Sequence, residues 1–275
     1  MVQDDVSQER RFRASLGSVK LMVVKVGSSS LADGSGHIDH VKMGRLCHGL
    51  AKLKRRGVNV ILVSSGAIRS GRAVLKGRTK IDGMAHLQAL AAVGQVLLME
   101  AYKNILAEDG YNVAQILLTW DDFKDSRRLK NLVNTLGMLL SLGVMPVINE
   151  NDTTAVDEIR FGDNDTLSAL VGVHMRADLV VILSDVDGLF SGDPKLTGSR
   201  LLTCVESVTP EVEKLAADDF GGAGGMASKL KAARVTTDAG IPMVVANSER
   251  EGVLEGIVGG EEIGTIFVPR DIDER

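Results

Sequence analysis

Six short apolar runs punctuate the chain, at Leu21–Val26, Val58–Val63, Val113–Leu118, Val144–Ile148, Leu179–Leu183 and Met243–Ala246. They are rich in β-branched residues and mostly continuous in apolar character. Parallel strands covered on both faces read this way, whereas a strand with one wet face shows a period of two. Between the runs lie stretches of helical periodicity, Val41–Arg55, Gly83–Glu108, Leu129–Leu142, Thr166–Arg176 and Ala227–Ala239. Gly57, Gly110, Gly143 and Gly240 stand where left-handed helix caps are expected. The repeated order of strand, helix, glycine and strand predicts right-handed crossovers, hence an α/β fold, a three-layer α/β/α sandwich with a mainly parallel central sheet. No low-complexity linker divides the chain, so residues 19–275 are expected to form a single domain, and residues 1–18 a flexible N-terminal arm. Ligands of open α/β sheets sit beyond the strand ends, which makes the part after about residue 179 the expected nucleotide-binding lobe.

Composition narrows the class. The 275 residues are 44% hydrophobic and 25% charged, which excludes a disordered chain, a collagen-like repeat and a coiled coil. Lys plus Arg number 32 against 36 Asp plus Glu, and aromatic residues make up only 3%. A nucleic-acid partner calls for a basic surplus and for rings on which bases stack, so none is expected. Cys47 and Cys204 lie far from any CxxC or Cys/His spacing and read as reduced thiols. No apolar run of the roughly 18–20 residues that a membrane span needs is evident, and Asp4 and Asp5 sit where a secretory leader would be basic. The expectation is a soluble, cytoplasmic protein with no membrane partner.

Chemistry concentrates at the strand ends. Lys25 closes an apolar strand and is followed by Gly27-Ser28-Ser29-Ser30. An ammonium among valines is costly unless it reaches an anion or an opening, and the Gly-Ser turn offers backbone N–H groups to the same anion. Ser64-Ser65-Gly66-Ala67 repeats the arrangement after the second run. Asn149-Glu150-Asn151-Asp152 and then Gly162-Asp163-Asn164-Asp165 crowd amides and carboxylates beside the fourth, where Asp can grip an amino group and Asn a carboxylate. Ser184 and Asp185 follow the fifth run and suit a nucleotide contact or metal-bound water. The loop Gly221–Gly225 feeds a helix with Lys229 in its first turn, a sound phosphate cradle although it is neither a Walker A loop nor GxGxxG. Taken singly, each segment also fits an ordinary turn or helix cap. Together they bring two lysines, glycine loops and carboxylates to one edge. Phosphoryl transfer uses that combination for positioning and charge neutralisation, and a kinase is indicated.

Lys25-Val26-Gly27-Ser28, Ser64-Ser65-Gly66-Ala67, Ala91–Gln95, Val147–Asp152, Gly162–Asp165 and Gly224–Lys229 resemble, in this order, the glutamate 5-kinase family of the amino-acid kinase superfamily. The resemblance runs from about Val19 to Phe267 and implies the amino-acid kinase fold. It implies phosphorylation of the γ-carboxylate of L-glutamate by ATP, with Mg2+, as the first step of proline biosynthesis. Lys25 and Lys229 would then hold and neutralise the phosphates, and Asp165 would orient both lysines. Ser65, Asp152 and Asn164 match substrate-binding positions, whereas Ser184, Asp185 and the run Ala223, Gly224, Gly225, Met226, Ala227, Ser228 and Lys229 match ATP contacts. On this view the lobe 19–178 binds glutamate and the lobe 179–270 binds ATP. The family also implies a homo-oligomer, proline as a feedback ligand and hand-off to glutamyl phosphate reductase. Three departures stand out: Ala223 where Thr is common, Ala227-Ser228 where Ser-Thr is common, and Arg160 where Lys is frequent. The chain ends near residue 275, where many bacterial members continue into a PUA domain. Acetylglutamate kinase is the nearest alternative, disfavoured because Asp152 suits a free ammonium better than an acetamide. A non-catalytic sensor on the same fold is the other.

Overall fold

A computed structural model of the chain describes residues 3–75, 83–154, 164–194, 196–216 and 225–269, with side chains from residue 9 onward. In chain order the elements are α1 (Gln3–Ser15), a 3-10 turn (Leu16–Ser18), β1 (Leu21–Val26), α2 (His40–Arg55), β2 (Asn59–Ser64), α3 (Ala67–Val74), α4 (Met84–Glu108), β3 (Val113–Leu118), α5 (Asp121–Lys124) and α6 (Ser126–Ser141). There follow β4 (Met145–Glu150), α7 (Asn164–Met175), β5 (Leu179–Ser184), β6 (Cys204–Val205), α8 (Pro210–Lys214), α9 (Met226–Asp238), β7 (Met243–Asn247), α10 (Val253–Val258) and β8 (Thr265–Phe267).

Among the described residues eight strands form one sheet in the order β3-β4-β2-β1-β5-β7-β8-β6. Every neighbouring pair is parallel except β7 and β8. The central strand β1 sets Lys25 opposite Val63 of β2 and Ile182 of β5. Lys25, Ser64, Glu150 and Ser184 therefore reach the same edge. Alternate residues feed two apolar layers. Met22, Val24, Val60 and Leu62 pack with Leu50 and Leu53 of α2 and Leu98 and Leu106 of α4, while Val23, Ile61, Ile148 and Ile182 pack with Val171 of α7 and Leu230 of α9. The two layers make the three-layer α/β/α sandwich, and the continuous apolar character of the strands is its cause.

Two expectations need correction. Residues 1–18 are not a free arm over their described part. Arg13 is only 2% exposed and its guanidinium donates to the carbonyls of Thr203 (2.6 Å), Ile263 (3.0 Å) and Gly264 (3.2 Å). Its Nε also meets Glu9 at 2.7 Å, and Leu16 and Val19 join the core. The three carbonyl partners lie 190 or more positions away, beyond the reach of local pattern. Second, α4 is long and apolar enough, by length and composition, to cross a bilayer. Its polar His86, Gln88 and Gln95 hide this in the sequence. In the fold α4 instead buries Leu90, Ala91, Leu98, Tyr102 and Leu106. Both cysteines are free, and burial pushes the Cys47 thiol up to about 12, with Asp109 adding to the effect.

Candidate active site

The C-terminal edge of the sheet opens into a cleft of about 960 Å³. Lys25, Ser65, Asn149, Asp152 and Asn164 line it from one half of the sheet, and Ser184, Asp185, Gly225, Met226 and Lys229 from the other.

Behind the lining side chains Lys25 and Lys229 stands Asp165, the second residue of α7, with no exposed surface. Lys25 does not snorkel to water: its Nζ meets Asp165 Oδ1 at 2.6 Å. Lys229 Nζ approaches Oδ2 at 3.4 Å, and Ser228 Oγ donates to the same oxygen at 2.6 Å. One carboxylate thus bridges an ammonium from β1 to an ammonium from α9. Burial alone would raise the pKa of Asp165, but the charges of the two lysines and the hydrogen bonds from Lys25 and Ser228 outweigh it and hold the carboxyl below its ordinary value. The trio sets two lysines against one carboxylate in a place where water solvates charge poorly.

A second cluster is built from amides. Asn164 Nδ2 lies 3.0 Å from the Ser64 carbonyl, 3.0 Å from Ser65 Oγ and 2.9 Å from Asn149 Oδ1. Its Oδ1 is buried and, among the described residues, has no hydrogen-bond partner. A buried acceptor left open at a cleft wall awaits a donor. Ser64 in turn shares a 2.8 Å hydrogen bond with the fully buried Tyr102 hydroxyl of α4. Burial raises the Tyr102 pKa, so the phenol stays neutral.

Of the sequence candidates, Lys25, Lys229, Asp165, Asn164 and Ser65 thus gather around the cleft floor. Ser184 and Asp185 sit side by side, hydroxyl to carboxylate at 3.1 Å. Ser228, expected to contact nucleotide, has its hydroxyl on Asp165 and on the Gly225 carbonyl at 2.9 Å. Ala227 is exposed on the first turn of α9. Ala223, Gly224 and Arg160 lie outside the described residues. Sequence reasoning passed over Arg69 and Arg72, which line the cleft from α3. Arg69 donates to the Asp33 carbonyl at 3.1 Å and so ties the loop after β1 to α3. The signal was available: two arginines three apart follow Ser-Ser-Gly-Ala and share one helix face.

Comparison with known proteins identifies the family and the fold. Residues 20–247 match the model of the amino acid kinase family. A glutamate 5-kinase from Pelobacter propionicus is 44% identical over 256 residues, covering 92% of this chain and 69% of the relative. One from Clostridium acetobutylicum is 42% identical over 259 residues, covering 93% and 97%. Among solved structures, carbamate kinase from Giardia lamblia bound to AMP-PNP aligns with a TM-score of 0.67 at 14% identity, over 92% of this chain and 100% of that one. UMP kinase from Bacillus anthracis aligns with a TM-score of 0.62 at 17% identity, over 92% and 97%. At such low identity the structures speak for the fold. The sequence relatives speak for the branch, and the chain belongs to the amino acid kinase family, among its glutamate 5-kinases.

Proposed function

We propose that this chain transfers the γ-phosphoryl group of ATP to the γ-carboxylate of L-glutamate, forming L-glutamyl 5-phosphate. The observation that carries the reading is the buried Asp165 held between Lys25 and Lys229. A transferring phosphoryl group spreads charge over its oxygens, and two fixed ammoniums aimed at it from opposite halves of the sheet stabilise that charge without reorganising. Asp165 sets the spacing of the two lysines and remains ionised. The γ-carboxylate is already an anion at neutral pH, so no general base is required. Positioning and electrostatics suffice.

The half of the sheet with Ser65, Asp152 and Asn164 takes the amino acid. Asn164 Oδ1 and the Asp152 carboxylate suit an α-ammonium, which an acetamide would not replace. The other half, with Ser184, Asp185 and the start of α9, takes ATP. Among the described residues no group of three His, Cys, Asp or Glu side chains is placed to hold a metal ion. Mg2+ needs no such group here, because it is bound largely through substrate phosphates and water. When bound, it neutralises the β- and γ-phosphates. The same reading extends to a homo-oligomer, to proline as a feedback ligand, and to a reductase that consumes the labile acyl phosphate.

The test is ATP turnover with Mg2+ on L-glutamate, N-acetyl-L-glutamate and L-aspartate, trapping the acyl phosphate with hydroxylamine. Hydroxamate from glutamate alone, lost in Lys229→Ala, is the expected result. Turnover of acetylglutamate instead would overturn the substrate assignment, and no turnover of any of the three would overturn the kinase.

A further inference from the structure

We infer that Gln95 of α4 is a positioning residue that, by satisfying Asn149, holds the Asn164 amide in the orientation that turns its acceptor toward the amino acid. The inference rests on the substrate reading above and adds the device behind it. An asparagine presents an acceptor or a donor according to how its amide is turned, so a site that binds an ammonium must prevent the flip. Two groups of unambiguous polarity set the direction. The Ser64 carbonyl can only accept, and it lies 3.0 Å from Asn164 Nδ2. The Glu150 backbone N–H can only donate, and it reaches Asn149 Oδ1 at 2.9 Å. Asn149 Oδ1 also accepts from Asn164 Nδ2 at 2.9 Å. Flipping Asn164 would set oxygen against oxygen at both contacts.

Asn149 is therefore committed to presenting its Nδ2 on its far side, and there it donates to Gln95 Oε1 at 2.9 Å. Gln95 Nε2 then donates outward to Gln115 Oε1 at 3.1 Å. Four amides thus run with one polarity from the cleft to the exposed Gln115 on β3. Asn149 is only 3% exposed, so without Gln95 its NH2 would be a buried donor with no acceptor. That penalty favours rearrangement of Asn149 and with it release of Asn164. Gln95 itself need not touch substrate. It stands beside Gly94, where α4 crosses α3 backbone to backbone, which fixes its position relative to Ser65.

Gln95→Met keeps length and volume but offers only a weak thioether acceptor, whereas Gln95→Glu keeps a strong acceptor facing Asn149. KM for L-glutamate is expected to rise about tenfold in Q95M while KM for ATP and kcat stay within about twofold, the signature of lost ground-state binding. Q95E should return KM for glutamate to within about threefold of wild type. Kd for L-glutamate, by calorimetry, should follow the same order without relying on turnover. Whether wild type turns glutamate over tests the kinase reading; the ratio of variant to wild-type Kd tests the relay. Unchanged glutamate affinity in folded Q95M, an equal rise for both substrates, or no rescue by Q95E would overturn it. Should Q95M fail to fold, Gln115→Met carries the test from the exposed end: a smaller rise confined to glutamate supports the relay and no rise overturns it.

Discussion

A carboxylate with no exposed surface, such as Asp165, stays ionised only because cations face both of its oxygens. Its folded-state pKa is depressed, so its contribution to stability is present above the ordinary carboxyl value near 3.8 and is lost as pH falls through the lower folded value. From pH 5 upward the Asp165 carboxyl is therefore ionised, and it is not the source of any activity change near neutrality. Asp165→Asn would leave two buried ammoniums facing a neutral amide, at a cost of about 3–5 kcal/mol. Thermal unfolding at pH 7 should show a large drop in Tm, and the hydroxamate assay a loss of about 100-fold or more in kcat. Between pH 5 and 3 the variant should lose less stability than wild type, because the titrating group is gone; parallel curves would count against this account. Part of this site was legible in the sequence. Lys25 among valines announces an anion partner, since burial of a lone ammonium is so costly. The hydroxyl of Ser228 did not announce that it would serve Asp165, because a serine in a glycine loop fits a phosphate contact as well. The open Oδ1 of Asn164 was illegible for a different reason: satisfaction of an amide is a property of its neighbours in space.

At the scale of elements, the strands were legible because a sheet covered on both faces demands continuous apolar runs, and β1 and β3 keep the bounds read from the sequence. The short β6 and β8 were not, with two and three residues that gain their pairing from β7 and from each other. Helix positions follow from similar particulars. Where α3 crosses α4, a Cβ on Gly94 would fall on the Ala67 carbonyl and one on Gly71 on the Leu90 carbonyl. The crossing sets α3, and with it Ser65 and Gly66 at its N-terminal end. Gly94→Ala should therefore destabilise by about 1–3 kcal/mol or more and raise KM for glutamate by displacing Ser65. Gly137 on α6 is the control, an exposed glycine inside a helix with nothing near its missing Cβ. Gly137→Ala should add about 0.5–1 kcal/mol through helix propensity alone. Chemical denaturation of both variants checks the pair; equal effects would mean that helix propensity, and not the close approach, governs Gly94.

Over the whole molecule, Arg13 and Glu9 join the first helix to the segments that lead into β6 and β8. Arg13 binds the carbonyls of Thr203, Ile263 and Gly264 and pairs with Glu9, which also accepts from Thr203 Oγ1 at 2.9 Å. Next to Gly264, Thr265 accepts from the Leu189 N–H at 2.8 Å and donates to the Leu202 carbonyl at 2.6 Å. Leu189 ends the segment that begins with Ser184 and Asp185 on the cleft. Hydrogen bonds at Gly264 and Thr265, joined by the backbone between them and from Leu189 back to Ser184, thus link α1 to the half of the site assigned to ATP. Arg13→Ala leaves the Glu9 carboxylate without its cation and the carbonyls of Thr203, Ile263 and Gly264 without the guanidinium donor, at a cost of about 2–4 kcal/mol. If this link holds the segment after β5 in place, KM for ATP should rise several-fold while KM for glutamate changes by less than about twofold. Arg13→Lys should not restore it, because an ammonium cannot reach diverging carbonyls that the planar guanidinium spans together. Steady-state kinetics well below the Tm of the variant separates this from general loosening, which would raise both constants together and so confine α1 to a role in stability.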